Sequence, residues 1–285
     1  MASAVSERAV SVLLVGPADE LESLLPQGIA HKVDRAANAA NAAIHLEERC
    51  YDVVLINDTA EGDVTEEQLE YARAAQAAHP ESRFILLVSH TTSPGVIEAL
   101  SQGMFAYFSR PFEPSAVRYA IVQAFSLSAF ADGVEVLSAS PDFFTVRLRC
   151  RLDTAERIAQ FMTELPCGLS KQEKGELAMA LREMLLNAIE HGGKLNPNEW
   201  VHVSRVRTKR TLVYHIHDPG EGFSRSSLKH AAISNPPDNP TAHAEIRMAS
   251  DLRPGGFGIM LASEFVDDVI YNQKGNEVIL IKHLD

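Results

Sequence analysis

The chain has 285 residues and a mass of 31.2 kDa, which at about 150 residues per domain favours two domains. Hydrophobic residues make up 46% and charged residues 22%, as in ordinary globular proteins, which excludes general disorder. The formal net charge of −12 argues against nucleic acid or an anionic membrane surface as the main partner. No apolar run of about 18 residues and no basic start with an apolar stretch behind it occurs, so we expect neither a membrane span nor a secretory signal.

The three cysteines, Cys50, Cys150 and Cys167, are scattered along the chain. Their number is odd, and their spacing is not that of metal ligands. We interpret them as reduced thiols, which is typical of a cytoplasmic protein, and expect a cytoplasmic location.

Residues 1–126 read as an α/β domain with a parallel sheet. Short apolar runs rich in β-branched residues alternate with helical stretches. Strands that alternate with helices imply right-handed crossovers and a three-layer domain. The predicted strands are Ser11–Val15, Val53–Ile56 and Phe84–Val88. The predicted helices are Ala36–Leu46, Thr65–Ala78 and Val96–Gln102. We expect residues 127–141 to be a linker between this domain and the next.

Residues 142–285 read as an α+β sandwich, in which one mixed sheet carries helices on one face. Polar and apolar residues alternate over Phe143–Arg151, which indicates a half-buried strand. Ser170, followed three residues later by Glu173, has the form of a capping box. The remaining predicted elements are helices Thr154–Glu164, Ser170–Glu190 and Gly258–Phe265, and strands Trp200–Val206, Thr211–His217, Val269–Asn272 and Glu277–His283.

The first domain resembles the receiver domain of two-component signalling over about residues 10–125. The stretch Ala99–Phe112 (ALSQGMFAYFSRPF) follows the family from its fourth helix through its fifth strand, which ends in Lys-Pro-Phe. The resemblance implies a flavodoxin-like fold.

The residues that carry receiver chemistry are replaced here. Receivers hold Mg²⁺ with acidic residues after the first strand, and these positions are Gly16 and Pro17. The nucleophilic Asp falls on Asn57 and the Lys on Arg110, whereas Ser89 is retained. We therefore expect a pseudo-receiver that acts in dimerisation or partner binding, in which Arg110 is either a surface cation or has a specific role.

The stretch Glu183–Gly192 (EMLLNAIEHG) places polar groups on one side of a helix. At 100° per residue, Glu183, Asn187 and Glu190 share one face, with His191 near it. Taken alone, this pattern is also that of a solvated helix face. The opposite side is apolar, with Leu177, Leu181, Leu185 and Ala188.

Two glycine-containing stretches follow. Asp218–Phe223 (DPGEGF) ends a strand, and a carboxylate there can accept a hydrogen bond from an exocyclic amine such as that of adenine. In Pro254–Ala262 (PGGFGIMLA), glycines run into a helix whose N–H groups favour an anion such as phosphate. An ordinary turn or loop explains either stretch taken singly.

Together and in this order, the three motifs resemble the GHKL family of ATP-binding domains (the Bergerat fold) over about residues 142–285. The branch that they resemble comprises the anti-sigma-factor serine/threonine kinases of bacterial partner switching. Asn187–Gly192 (NAIEHG) has the character of that branch, as do Phe265–Tyr271 (FVDDVIY) and Gly275–Val278 (GNEV).

The resemblance implies ATP and Mg²⁺ as cofactors. It implies Glu183 as general base, Asn187 as cofactor-binding residue and Mg²⁺ ligand, and Asp218 as the adenine anchor. Ser224–Arg253 would be a lid, longer than we expect of this branch. Gly220 and Gly222 would shape the base pocket, and Gly256 and Gly258 would cradle the phosphates.

Two functions stay open. The first is a serine/threonine protein kinase that phosphorylates a small antagonist protein, has a sigma factor as its alternative partner and forms a homodimer. The second is an ATP-dependent switch that binds partners without catalysis; Glu183 favours the kinase, because a binding module needs no base. A sensor histidine kinase is disfavoured, since no phosphoaccepting His and no room for a helical hairpin occur between Leu127 and Glu190.

Overall fold

The chain forms two compact units, residues 1–132 and 133–285. None of the helices within the described ranges combines the length and the apolar composition that a membrane span requires. The structure is a computed structural model that describes residues 9–29, 31–57, 66–126, 133–223 and 258–284.

The first unit is a five-stranded parallel sheet between layers of helices. Its strand order, β2-β1-β3-β4-β5, is that of flavodoxin-like folds. The predicted parallel α/β domain is therefore confirmed. The strands are β1 (Val10–Val15), β2 (His31–Ala36), β3 (Val53–Asn57), β4 (Arg83–Val88) and β5 (Ala106–Ser109). The helices are α1 (Ala18–Leu24), α2 (Ala39–Glu48), α3 (Glu66–Ala78), α4 (Ser93–Ser101) and α5 (Pro114–Ser126).

The central strands of this sheet are buried along their whole length. Every residue of β3 and of β4 is buried, because helices cover both faces of a parallel sheet. This burial explains why the two strands appear in the sequence as continuous apolar runs. The strand order reverses between β1 and β3, so their carboxyl ends flank the crevice in which α/β sheets hold polar groups.

The second unit is a six-stranded sheet with helices packed on one face. Its strand order is β10-β11-β9-β8-β7-β6. The strands are β6 (Val134–Ser140), β7 (Phe143–Arg149), β8 (Trp200–Arg207), β9 (Thr211–His217), β10 (Asp268–Tyr271) and β11 (Glu277–His283). The helical elements are α6 (Leu152–Glu164), α7 (Lys171–Asn187), a π-helical turn (Ala188–Gly192) and α8 (Gly258–Phe265).

The prediction of a mixed sheet in this unit is wrong for the described strands, which all pair antiparallel. If one crossover helix connected β7 to β8, the two strands would run in the same direction. Two successive helices, α6 and α7, intervene instead, so the chain enters β8 in the opposite direction.

The boundary between the units also differs from the prediction. Strand β6 pairs with β7 and lies within the stretch 127–141 that we expected to be a linker. No residue of β6 is buried, because it is the edge strand of the sheet. It therefore lacks the apolar alternation by which β7 is recognisable.

One face of the second sheet and one face of α7 form the core. The residues of α7 that we predicted to be apolar and inward-facing are all buried, whereas Glu183, Asn187 and Glu190 on the other side are only partly buried. Helix α7 begins with the predicted capping box, in which the Ser170 hydroxyl accepts from the Glu173 N–H and the Glu173 carboxylate accepts from the Ser170 N–H at 2.9 Å. The end of this helix lies at the end of the sheet where β9 terminates, because Gly192 lies against Asp218.

Candidate functional site

The three sequence motifs of the second unit come together at one place. The Cα of Gly192 lies against the Asp218 side chain, so closely that a Cβ on Gly192 would be 2.2 Å from the carboxyl carbon. Gly258, the first residue of α8, lies against the polar side of α7. A Cβ there would be 2.9 Å from Glu183 Oε2 and 3.3 Å from Asn187 Nδ2. The motif on α7 thus touches both of the others.

A π-helical turn makes the first of these contacts. The Gly193 N–H donates to the Ala188 carbonyl at 2.8 Å, a bond that spans five residues instead of four. A π-turn widens the helix, and such turns are frequent at functional sites. Here the wide turn brings the backbone of Gly192 to Asp218. The sequence predicts only a regular helix to Glu190, because residue types carry no clear signal for a π-turn.

Asp218 is the first residue after β9, and its side chain is partly buried. The Gly220 N–H donates to Asp218 Oδ1 at 2.8 Å. Burial raises the pKa of the Asp218 carboxyl, and the Gly220 hydrogen bond offsets part of that rise. Such a group is suited to accept a hydrogen bond from a flat, neutral donor, because a partly desolvated carboxylate gains from a new donor.

The turn between β10 and β11 is hydrogen-bonded to the loop that begins at Asp218. The sequence did not predict this contact. The Asp218 N–H donates to the Asn276 carbonyl at 3.0 Å, and Asn276 Nδ2 donates back to the Asp218 carbonyl at 3.2 Å. Asn272 Nδ2 donates to Asn276 Oδ1, and Lys274 Nζ donates to the Gly220 carbonyl at 2.9 Å. The sequence signal for these hydrogen bonds is the pair Asn272 and Asn276, which lie four residues apart around a hairpin turn.

The glycines of the second motif are required by contacts within the protein. Gly222 has a φ of +81°, and a Cβ there would be 1.9 Å from the Lys274 carbonyl oxygen. A Cβ on Gly220 would be 2.8 Å from Asp218 Oδ1 and 2.9 Å from the Gly192 Cα. Both glycines therefore allow the loop to close on its neighbours, whatever they do for a bound base.

Glu183, the predicted base, has a partner that the sequence analysis did not assign. Arg182 Nη1 donates to Glu183 Oε1 at 3.1 Å, and Arg182 Nε also donates to Glu156 of α6 at 2.9 Å. The guanidinium therefore links α6 to the carboxylate. The other oxygen, Glu183 Oε2, is the one that lies beside Gly258.

Two predicted features lie outside the described residues. These are Gly256 and the lid Ser224–Arg253. Phe223, immediately before the lid, makes an edge-to-face contact with Tyr271 at 5.3 Å between ring centroids. The Tyr271 hydroxyl donates to Met184 Sδ on α7 at 3.4 Å, so the described end of the loop is anchored to α7 through two aromatic rings.

In the first unit, the positions that correspond to receiver chemistry form a closed polar cluster. Arg110 donates bidentately to Glu20, with both N–O distances 2.7 Å. Arg110 Nη2 also donates to Asn57 Oδ1 at 3.0 Å, and Asn57 Nδ2 donates to Glu20 Oε2 at 3.0 Å. The hydrogen bond from Arg110 lowers the pKa of Glu20. Of the two readings left open for Arg110, the specific role is the one that the structure supports.

Glu20 was not predicted as part of this cluster. Acidic residues of a receiver are expected directly after β1, where Gly16 and Pro17 stand. Glu20 lies one helical turn later, in α1, and the helix returns its side chain to the carboxyl ends of β1 and β3.

Comparison with known proteins supports the same division of the chain. A profile described as the histidine kinase-like ATPase domain matches residues 147–282. Those residues form a histidine kinase-like ATPase domain. The serine-protein kinase RsbW of Oceanobacillus iheyensis is 27% identical to this chain over 118 residues, which is 41% of this chain and 70% of that protein. The predicted GHKL ATPase domain, preceded by a receiver-like domain, is confirmed.

Solved receiver structures are similar to part of this chain. A receiver domain from Methanospirillum hungatei is 20% identical, with 41% of this chain and 93% of that chain covered and a TM-score of 0.35. A response regulator from Thermotoga maritima is 18% identical, with 42% and 100% covered and a TM-score of 0.37. The receiver-like assignment rests on the strand order of the first unit.

The Gly192–Asp218 contact in the ATPase domain yields a direct prediction. In Gly192→Ala, the added methyl group would collide with the Asp218 carboxyl group, so the side chain must move away from its position. Because a hydrogen bond to a charged group contributes about 1.5–3 kcal/mol, we expect the affinity for Mg-ADP to fall about tenfold or more when this bond is lost. Isothermal titration calorimetry measures this change.

Gly175→Ala is the matched control for this prediction. Gly175 lies in the same helix, and a Cβ there would meet no atom within 4 Å. This variant should bind nucleotide as the wild type does and should gain about 0.5–1 kcal/mol in free energy of unfolding. Equal nucleotide affinity in the two variants would show that the Gly192–Asp218 contact does not matter for binding.

Proposed function

We propose that this protein is an ATP-dependent serine/threonine protein kinase of the anti-sigma-factor type. Its substrate would be a small antagonist protein, with a sigma factor as alternative partner, in cytoplasmic signal transduction in bacteria. The observation that carries the proposal is the convergence of Glu183, Asn187 and Gly258 on one side of the site with Asp218 on the other. The relative named as a serine-protein kinase supports the same activity.

The donor set fits a magnesium nucleotide. The partly buried Asp218 carboxylate would accept a hydrogen bond from the adenine amine. The Asn187 amide oxygen is a hard neutral ligand of the kind that Mg²⁺ takes. Because Gly258 has no side chain, its backbone can lie close to the Asn187 amide group. When bound, Mg²⁺ would neutralise charge on the phosphate oxygens.

Glu183 would then act on the protein substrate. As a Ser or Thr oxygen attacks the γ-phosphorus, the hydroxyl proton passes to the Glu183 carboxylate, the bond between the γ-phosphorus and the β–γ bridging oxygen breaks, and ADP leaves. Arg182 would orient Glu183 through its hydrogen bond to Oε1. Positioning of the reacting groups and neutralisation of charge contribute most of such a transfer.

A second function is favoured by the same hydrogen bond. Arg182 links Glu183 to Glu156 of α6, so the carboxylate also has a structural role that requires no proton transfer. With that role alone, the protein would be an ATP-dependent switch that binds partners without phosphotransfer. Partner labelling distinguishes the two functions.

Glu183→Gln tests the kinase proposal. The amide keeps the shape of the side chain but cannot accept the proton, so we expect nucleotide affinity close to wild type and a loss of transfer of about 100-fold or more. The measurement is single-turnover transfer of radiolabel from γ-labelled ATP to the antagonist protein. Glu176→Gln, the same change two turns earlier on α7, should transfer normally. Transfer at the wild-type rate in Glu183→Gln would remove the base assignment.

We further propose that the receiver-like domain does not accept a phosphoryl group, and that it regulates the ATPase domain through dimerisation or partner binding. An amide at position 57 is a far weaker nucleophile than a carboxylate. Arg110 stands at the position of the receiver Lys that pairs with the phosphoryl group, and here it forms an ion pair with Glu20. The Glu20 carboxylate therefore takes the place at Arg110 that a phosphoryl group would take.

Glu20→Gln tests the Glu20–Arg110 pair. Because the pKa of Glu20 is lowered in the folded state, its ionisation stabilises the domain above its unfolded pKa of about 4.5, and this contribution disappears as the pH falls through the folded pKa. At neutral pH we expect the variant to lose up to about 1 kcal/mol in free energy of unfolding, since the pair is partly exposed.

Scanning calorimetry of the full chain at a series of pH values measures this loss. The difference between wild type and Glu20→Gln should shrink as the pH is lowered. Glu22→Gln, on the same helix, removes an exposed ion pair with Arg35 and should change stability less. A difference for Glu20→Gln that stays constant with pH would contradict the role given to its ionised form.

A further inference from the structure

Three side chains with metal-ligating atoms meet on the first unit, at the end of the sheet opposite to Asn57. Ligand atoms of Cys50, His79 and Glu81 all lie within 4.8 Å of one another. His79 Nδ1 and Glu81 Oε1 are 3.6 Å apart. Within the first unit, the cluster lies at the other end of the sheet from the Glu20–Arg110 pair.

The fold brings these residues together through two neighbouring loops. Cys50 lies between α2 and β3, whereas His79 and Glu81 lie between α3 and β4. Because β3 and β4 are adjacent and parallel, the loops that enter them run side by side, and the Arg83 N–H donates to the Asp52 carbonyl at 3.0 Å. The ligands thus come from distant parts of the sequence, so the linear spacing of the cysteines gave no indication of them.

The donor set suits a tetrahedral zinc ion, and the spacing of its nitrogen and oxygen atoms fits one. Thiolate sulfur, imidazole nitrogen and carboxylate oxygen are the ligands that Zn²⁺ takes, at about 2.3 Å for sulfur and about 2.0–2.2 Å for nitrogen and oxygen. Tetrahedral angles then place nitrogen and oxygen ligands about 3.4 Å apart, close to the 3.6 Å between His79 Nδ1 and Glu81 Oε1. A thiolate disfavours Mg²⁺ and Ca²⁺, which prefer oxygen ligands.

A hydrogen bond already joins two of the candidate ligands. The Cys50 thiol donates a hydrogen bond to the Glu81 carboxylate, which raises the pKa of Cys50. The pKa of Glu81 is lowered by its own backbone N–H and by the Cys50 thiol. A bound zinc ion would form one bond to the Cys50 sulfur and one to the Glu81 carboxylate, and the thiol proton would be released to water.

We propose that Cys50, His79 and Glu81 form a zinc site with one coordination position left for water or a partner's ligand. An exposed thiol and an exposed carboxylate make the site open to solvent. A bound ion would join the two loops and so stabilise the receiver-like domain. The site is independent of the proposed kinase activity.

Cobalt(II) titration of the metal-free full chain, without nucleotide, tests the proposal. We expect one Co²⁺ per chain, with the near-ultraviolet band of a thiolate-to-cobalt transition and the visible bands of a four-coordinate ion, both abolished by Zn²⁺. Cys50→Ser should abolish the near-ultraviolet band. His79→Ala and Glu81→Gln should each weaken binding about tenfold or more. His90→Ala, an exposed histidine of the same unit outside the cluster, should bind as the wild type does.

Alkylation gives a second readout. Cys50 is the exposed cysteine, whereas Cys150 and Cys167 are buried, so iodoacetamide should label Cys50 first and Zn²⁺ should protect it. No thiolate band at equimolar Co²⁺ would overturn the proposal. So would a band that is unchanged in His79→Ala and Glu81→Gln, since a lone thiol would then be the ligand. Circular dichroism of each variant establishes that it is folded.

Discussion

The contact between the Gly192 backbone and the Asp218 carboxyl group is the constraint on which the candidate site depends. Only a residue without a side chain fits there, so α7 and the end of β9 can approach each other. The π-turn after Asn187 creates the approach, and the hydrogen bonds of Asn276 hold the opposite side of the Asp218 loop. The carboxylate is thereby partly desolvated, which suits it to a hydrogen-bond donor such as an amine.

The receiver-like domain carries a polar cluster at the carboxyl ends of its central strands. A bidentate ion pair, Glu20 with Arg110, and the Asn57 amide satisfy one another at the end of the sheet where a receiver would take up a phosphoryl group. This arrangement supports the proposal that the domain acts as a binding surface and does not accept a phosphoryl group.

The sequence predicted the parts of the structure that periodicity and box motifs encode. The parallel order of the first sheet, the polar and apolar sides of α7 and the capping box at Ser170 all follow from local patterns. Edge strand β6 was missed, because its residues are not buried and carry no core pattern. Glu20, Arg182 and Asn276 were missed because their roles arise from contacts between elements, as does the cluster of Cys50, His79 and Glu81, whose members belong to two loops.

The most direct test is to measure, by isothermal titration calorimetry on the full chain, how tightly Mg-ADP binds to the wild type and to Asp218→Asn. The account predicts binding to the wild type and a loss of affinity of about tenfold or more in Asp218→Asn, because the amide presents a donor where the adenine amine needs an acceptor. Asp268→Asn, an exposed position on β10, should leave affinity unchanged. Wild-type protein that ignores Mg-ADP at millimolar concentration, or equal affinity in Asp218→Asn, would contradict the account.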